Sequence, residues 1–225
     1  MKIKFWGEYG LFTRPEYKAE PHTYSVLTPT AAKGMLESIF WKPEFHYVVH
    51  RITVLHPIRV MSMQRNMGQK KQSFKVAKGW MNNDGVGRYF INSDRTQRNH
   101  VLLKNPAYVV DFNLDLEPHV TENEPPEKYL AQLKRRIDRG QCYKQPYFGC
   151  REYPAFFCWA SEQDVPHPEL MGEQDLGMMP KALHYVRDSK GSISWRDPAT
   201  RRFVKGRVVP ELFHARMING VVEVR

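Results

Sequence analysis

Lys128 and Tyr129 stand side by side in the stretch Pro125–Pro154, PPEKYLAQLKRRIDRGQCYKQPYFGCREYP. An ammonium beside a phenol suits chemistry at an anionic centre. The cation can stabilise negative charge growing on oxygen, and the phenol can donate a hydrogen bond or take a proton. A phenol ionises near pH 10, so it is a poor base at neutral pH unless a cation lowers that value. Lys128 is placed to do so. The plainer alternative is that Lys128 only binds phosphate and Tyr129 only stacks or packs.

A helix must present this pair. Pro125 and Pro126 open it, Leu130, Leu133 and Ile137 form its inward stripe, and Gly140 sits where a C-cap would. Lys134, Arg135, Arg136 and Arg139 then read as its outward face. Cations in the last turns also complement the helix dipole, so part of that cluster is ordinary helix chemistry.

The charge pattern says what would be brought to the site. The net charge is +10, but it is uneven. Residues 60–105 carry +7 and residues 181–225 carry +6, whereas residues 106–180 carry −6. Two basic blocks around an acidic one describe a directed surface, and nucleic acid is the partner that suits it. Residues 62–98 lack clean periodicity and interleave Arg65, Lys70, Lys71, Lys75, Lys78 and Arg98 with Phe74, Trp80, Tyr89 and Phe90. Cations neutralise phosphates and aromatics stack on unpaired bases. A flexible, solubilising insertion is the competing reading. Arg14, in the loop before residue 22, is a further polar group able to face a ligand.

The remaining elements supply a sheet for the helix. Ile3–Gly10 alternates as a first strand. Thr28 is an N-cap and Pro29 a first helical residue, with Met35, Leu36, Ile39 and Phe40 as the apolar stripe. His46–Met61 is a long Val/Ile-rich strand with Pro57 at an edge or bulge. On it His46 and His50 fall on the face of Ile52 and Val54, and a strand spacing of this kind does not make a metal pair. Ala107–Leu116 is another alternating strand, and Tyr147–Ala160 holds one more. The order strand, helix, strand, insertion, strand, helix, strand predicts an α+β chain. Its core is a ferredoxin-like βαββαβ domain over 1–160, the topology of RNA-recognition domains, with a basic insertion at about 62–98. Residues 161–180 read as a connector. Short alternating segments from Ala182 onward, ending in the hairpin signal Asn219-Gly220, make a C-terminal antiparallel β appendage, so 161–225 is the second unit.

The chain has 225 residues, 41% of them apolar, enough for a sizeable core. No run approaches a membrane span, and MKIKFWGEYG lacks the apolar core and cleavage site of a signal peptide. Cys142, Cys150 and Cys158 fit neither a disulfide framework nor a zinc site. A cytoplasmic protein with no membrane association, metal or cofactor is expected.

Several segments, in order, carry a resemblance. They are Trp6-Gly7-Glu8-Tyr9, Phe12-Thr13-Arg14-Pro15-Glu16, Tyr24-Ser25-Val26, Ala31-Ala32-Lys33-Gly34 and Glu37-Ser38-Ile39-Phe40-Trp41-Lys42-Pro43. Later come Gln64-Arg65-Asn66, Gln97-Arg98, Gly140-Gln141, Gln145-Pro146-Tyr147, Gly149-Cys150-Arg151-Glu152-Tyr153-Pro154-Ala155, Asp175-Leu176-Gly177 and Asn219-Gly220-Val221. Over nearly its whole length the chain resembles the CRISPR-associated proteins of Cas family five, subtype d, from type I-C systems. The resemblance implies a metal-independent endoribonuclease that binds the hairpin of the CRISPR repeat RNA and cuts beside it. The attack is by the substrate's own 2′-hydroxyl, leaving a 2′,3′-cyclic phosphate. It also implies retention of the 5′ tag of the crRNA in a surveillance complex with other subunits. Arg151, inside the shared Gly-Cys-Arg-Glu-Tyr-Pro segment, joins the candidate RNA-binding residues. In the family a tyrosine precedes Trp-Lys-Pro and a Lys-His pair opens the second helix. Lys128 matches, whereas Phe40 and Tyr129 depart. His46 or Tyr47 is then the candidate to supply a missing group. Two other readings follow from the departures: a non-catalytic scaffold that holds the crRNA tag, and a generic RNA-recognition module.

Overall fold

The computed structural model describes residues 1–17, 19–69, 73–117, 125–197, 200 and 202–224. In chain order the first elements are β1 (Lys2–Trp6), β2 (Tyr9–Gly10), α1 (Pro29–Ile39), β3 (Phe45–Val54), β4 (Val60–Gly68), α2 (Phe74–Asn82), β5 (Arg95–Lys104) and β6 (Ala107–Leu116). There follow α3 (Pro126–Asp138), β7 (Phe156–Trp159), β8 (Glu173–Arg187), β9 (Ile193–Arg196), β10 (Phe203–Ile218) and β11 (Val221–Glu223). The chain is therefore α+β, with antiparallel sheets and three α-helices among the described residues. None of these helices is long and apolar enough to cross a membrane.

The main sheet has the order β7-β1-β6-β3-β11-β10-β8, and β9 pairs with β10. β6 is its apolar centre: Tyr108, Val110 and Phe112 are buried on one face, opposite Ile3 and Phe5 of β1. Two helices cover that face. α1 starts where Thr28 Oγ1 accepts from the Ala31 N–H at 3.2 Å, and Pro29 occupies a position whose N–H would have no helical partner. It buries Ala32, Met35, Leu36 and Ile39. α3 buries Tyr129, Leu133 and Ile137, with Leu130 half-buried. The inward stripe thus begins one residue earlier than sequence periodicity suggests, at an i, i+4, i+8 spacing. Each such aliphatic side chain contributes roughly 1.5–3 kcal/mol on burial.

The expected long strand over 46–61 is two strands. β3 ends at Val54 and β4 begins at Val60, with Pro57 between them. Within β3 the register shifts, so that Val49 pairs with Phe112 and Arg51 with Asp111. This bulge flips the alternation. Phe45, Tyr47, Ile52 and Val54 are buried, and His46 and His50 do not share a face with Ile52 and Val54 as strict alternation had implied.

Residues 62–98, read from sequence as aperiodic, contain β4, α2 and the start of β5. β4 and β5 pair over their full length, and β2 completes a three-stranded sheet. The ladder is poorly visible in sequence because β4 buries none of its residues fully and α2 buries none. Beyond β7 the connector is shorter than expected, since β8 already starts at Glu173. β8 and β10 form a ribbon of 15 and 16 residues. It is tied to β3 through β11, after a turn in which Asn219 and Gly220 have φ of 49° and 76°.

Candidate catalytic and nucleic-acid site

α3 has no side-chain N-cap, and the Lys128 N–H donates to the Pro125 carbonyl at 3.1 Å. The Lys128 ammonium lies 5.7 Å from the centroid of the Tyr129 ring. That ring is only 2% exposed. It packs at 5.3 Å on Phe45, which packs in turn at 5.3 Å on Phe40. Lys128 and Tyr129 are thus held together at the helix mouth, but the phenol belongs to an aromatic cluster.

Tyr47 is on the same face. Its hydroxyl donates to the Phe40 carbonyl at 2.6 Å. Burial above all, then the Glu37 carboxylate, pushes its phenol far above the ordinary value, so it stays protonated and donates rather than accepts. Arg136 corrects the expected outward face of α3. Its guanidinium donates to the Ile39 carbonyl at 2.7 Å and sits 5.0 Å from the Phe40 ring centroid. It caps the end of α1.

His46 points from the opposite face of β3 to Phe45. Its Nδ1 donates to Glu117 Oε1 at 2.9 Å, an arrangement that fixes the ring. His46, His50, Lys33, Lys181 and His184 line a groove of about 550 Å³ between α1, the β3 edge and β8. The structure gathers Lys128, Tyr129, Phe40 and Tyr47 around Phe45, and leaves His46 outside that cluster.

The candidate RNA-binding cations divide. Arg65 and Arg98 are direct partners across the β4–β5 ladder. Opposed like charges destabilise a sheet unless each finds a counter-group. Arg65 donates to the Tyr153 hydroxyl at 3.3 Å and to Glu152 at 3.4 Å, while Arg98 donates to the Ala19 carbonyl at 2.9 Å. The Arg14 guanidinium is 4.8 Å from the Tyr24 ring centroid. These three are anchored within the fold. Lys75 and Lys78, on α2, and Arg151, beside Glu152, are exposed. Lys70 and Lys71 lie outside the described residues.

Sequence reasoning missed the Glu117 partner of His46, because it needs the β3–β6 register, and the inward turn of Arg136. It also missed Trp41, Tyr143 and Tyr147, which converge on one hollow beside α1. Their signal was faint: aromatics next to lysines in Trp41-Lys42 and Tyr143-Lys144.

The sequence model of the family described as "CRISPR-associated protein (Cas_Cas5)", Cas_Cas5d, matches residues 1–225. A Thermus thermophilus protein named "CRISPR pre-crRNA endoribonuclease Cas5d" is 40% identical over 225 residues, covering 100% of this chain and 90% of the relative. A Mannheimia succiniciproducens protein of the same name is 36% identical over 231 residues, covering 100% and 94%. A solved structure titled "Crystal Structure of CRISPR-associated Protein" superposes with a TM-score of 0.65 at 19% identity, covering 100% of this chain and 90% of that one. A functionally uncharacterized Streptococcus mutans protein superposes with a TM-score of 0.63 at 17% identity, covering 100% and 91%. These two likenesses concern the fold. The full-length family match and the two full-length relatives together place the sequence: the chain belongs to the Cas5d family of CRISPR-associated proteins.

Proposed function

We propose that this protein processes CRISPR repeat transcripts. It binds the repeat hairpin of pre-crRNA, cuts it by attack of the 2′-hydroxyl on the adjacent phosphate, and keeps the 5′ tag as a subunit of a type I-C surveillance complex. The observation that carries this reading is identity of 40% and 36%, over the whole chain, to proteins named as pre-crRNA endoribonucleases. Lys128 stabilises charge on the phosphoryl oxygens. Tyr129, buried beneath it, positions that ammonium instead of exchanging protons with substrate. His46, oriented by Glu117 on the opposite face of β3 and outside this cluster, serves as an RNA-contacting group. Arg14, Arg65, Arg98 and Arg151 with the lysines of α2 form the RNA-facing surface, the anchored arginines setting its shape. No cofactor takes part in this chemistry, and a reducing cytoplasm suits the free thiols of Cys142, Cys150 and Cys158.

The fold reading is a ferredoxin-like unit over 1–160, with β1, α1, β3, β6, α3 and β7 as its βαββαβ elements. The spatial order β7-β1-β6-β3, antiparallel throughout, supports it. The β4–α2–β5 segment is the insertion, and 161–225 is the appendage.

The test is incubation of the repeat RNA with pure protein in EDTA. Cleavage to a product ending in a 2′,3′-cyclic phosphate is expected, reduced at least a hundredfold in Lys128→Ala with binding only a few-fold weaker. Intact RNA with binding retained refutes the catalytic half. It would favour a second reading, a non-catalytic tag-binding scaffold, for which the buried positions of Phe40 and Tyr129 speak.

A further inference from the structure

Trp41, Tyr143 and Tyr147 line a hollow of about 450 Å³ along the last turns of α1, with Glu37, Ser38 and Lys144. Trp41 is 52% exposed and Tyr143 76%. Aromatic rings carry large apolar faces, and leaving two of them in water forfeits burial that a core would supply. The backbone that carries Tyr143 is held firmly. The N–H groups of Tyr143 and Lys144 both donate to the Ser38 carbonyl at 3.0 Å, clamping the 143–144 loop onto the end of α1. The floor is open at Gly34, where a Cβ would meet nothing within 4 Å. The Lys144 ammonium lies 5.7 Å from the Tyr143 ring centroid, so a positive charge borders the aromatic wall.

Flat aromatic walls, a cation at the rim and a carboxyl on the side match a particular ligand chemistry. A planar heterocycle stacks on the rings, its anionic tail meets the ammonium, and an amino or imino N–H meets the carboxylate. An apolar peptide would leave Glu37 and Lys144 without use. A duplex could not enter, since its bases are already stacked on each other. The hollow also adjoins the candidate catalytic cluster. Trp41 follows Phe40, whose ring packs on Phe45, which carries Tyr129 beside Lys128.

We propose that this hollow is a cradle for one unpaired nucleobase of the RNA substrate, stacked on Trp41 and Tyr143, with Lys144 at its phosphate and Glu37 accepting from its amino edge. This rests on the RNA-processing reading above and adds to it a grip on single-stranded RNA, separate from any grip on the hairpin. Burial holds the Glu37 carboxyl above the ordinary carboxylate value, consistent with a wall that excludes water.

The test uses the full chain and a five-nucleotide single-stranded RNA with no hairpin, labelled for anisotropy and carrying 2-aminopurine at one position in turn. Alanine substitution of a stacking ring weakens single-strand binding by roughly fivefold to 150-fold, so Trp41→Ala and Tyr143→Ala should each fall in that range. One 2-aminopurine position should be quenched by the native protein and released in Trp41→Ala. Trp41→Phe keeps a stacking face and should bind nearly as the native chain does. Lys144→Ala should lower the salt slope by about 0.7, the value for one phosphate of a single strand. Tyr143 is the more exposed ring, so its variant decides the matter if Trp41→Ala does not fold. Native affinity in both alanine variants, or no binding of the pentanucleotide by the native protein, overturns the cradle. Failure of the processing reading looks different: the repeat hairpin stays uncut while pentanucleotide binding still depends on Trp41 and Tyr143.

Discussion

Arg136→Ala separates a structural cation from an exposed one on the same helix. In sequence Arg135 and Arg136 are neighbours in one basic run, yet only Arg136 reaches the Ile39 carbonyl, at 2.7 Å, with its guanidinium 5.0 Å from the Phe40 centroid. A hydrogen bond from a charged donor contributes about 1.5–3 kcal/mol net. A half-buried guanidinium over an aromatic face adds about 0.5–1 kcal/mol. The charge also sits at the C-terminal end of α1, but that dipole interaction is largely the same contact and is not counted twice. The loss should therefore be about 2–4 kcal/mol. A chain of this size loses about 2–4 °C in Tm per kcal/mol, so the midpoint should fall by about 4–16 °C. The assay is paired urea and thermal unfolding of native protein, Arg136→Ala and Arg135→Ala. The urea midpoint should drop at unchanged slope in Arg136→Ala. Arg135 is exposed, and its variant should stay within about 0.5 kcal/mol of native. Arg136→Lys should recover only part of the loss, because an ammonium lacks the planar fork. Equal stability of the two alanine variants would refute the assignment of Arg136 to the α1–α3 junction.

Three further outcomes follow from contacts elsewhere in the fold. Tyr129→Phe keeps the buried ring and removes the hydroxyl, so cleavage should stay within about tenfold of native; a drop of a hundredfold or more would make the phenol itself part of the proton transfer. His100 is buried, its Nδ1 has no hydrogen-bond partner among the described residues, and burial first, then Arg65, hold its pKa below the ordinary value of about 6.5. The unfolded chain then takes up a proton that the folded chain resists, so stability falls as pH drops through 6.5, and His100→Gln should lose less of its urea midpoint between pH 7.5 and 5.5 than native protein does. An identical loss in the two proteins would dismiss His100 as a source of acid sensitivity. Gly149 has φ of 80°, and a Cβ there would stand 1.9 Å from the Leu11 carbonyl oxygen, so Gly149→Ala should cost more than about 3 kcal/mol. Gly140, with φ of 62° but open space around it, should cost only about 1–2 kcal/mol as alanine, and similar values for the two would contradict the close approach of the two loops.

What sequence makes legible depends on how many layers a feature needs. α1 follows from local signals alone: a Thr28 cap, Pro29 at the first position and an apolar stripe. β6 alternates so cleanly because one of its faces is fully packed. The bulge in β3 has no such signal, since Val49-His50-Arg51 reads as unbroken strand and only pairing with Phe112 and Asp111 exposes the extra residue. β4 is hidden for the opposite reason. It is a true strand whose faces are at best half-covered, so selection for burial leaves little alternation to read. The site divides in the same way. Lys128 at the mouth of α3 is visible from the helix start, whereas the burial of Tyr129 turns on whether the stripe runs 129, 133, 137 or 130, 133, 137. Positions 129 and 130 stand about 100° apart around the helix while both stripes share Leu133 and Ile137, and apolar residues occupy both positions.

The two departures that the family resemblance implies, Phe40 and Tyr129, are spatially one departure. Each ring packs at 5.3 Å on Phe45, from α1's end on one side and α3's mouth on the other. A phenol absent at the first position is present at the second, within one cluster whose other hydroxyl, on Tyr47, is already spent on the Phe40 carbonyl. Because the rings share a neighbour, the size and polarity of one constrain the other, and their effects on activity should be coupled, not additive. Phe40 also meets Arg136 and precedes Trp41, so the same cluster borders the exposed aromatic hollow. A substitution there acts on three things at once: the seat of Lys128, the junction of the two helices and the wall of the cradle. That is why Lys128, which projects from the cluster without filling it, is the cleaner probe of chemistry, and why changes at Phe40 cannot be read as chemistry until the junction held by Arg136 has been shown intact.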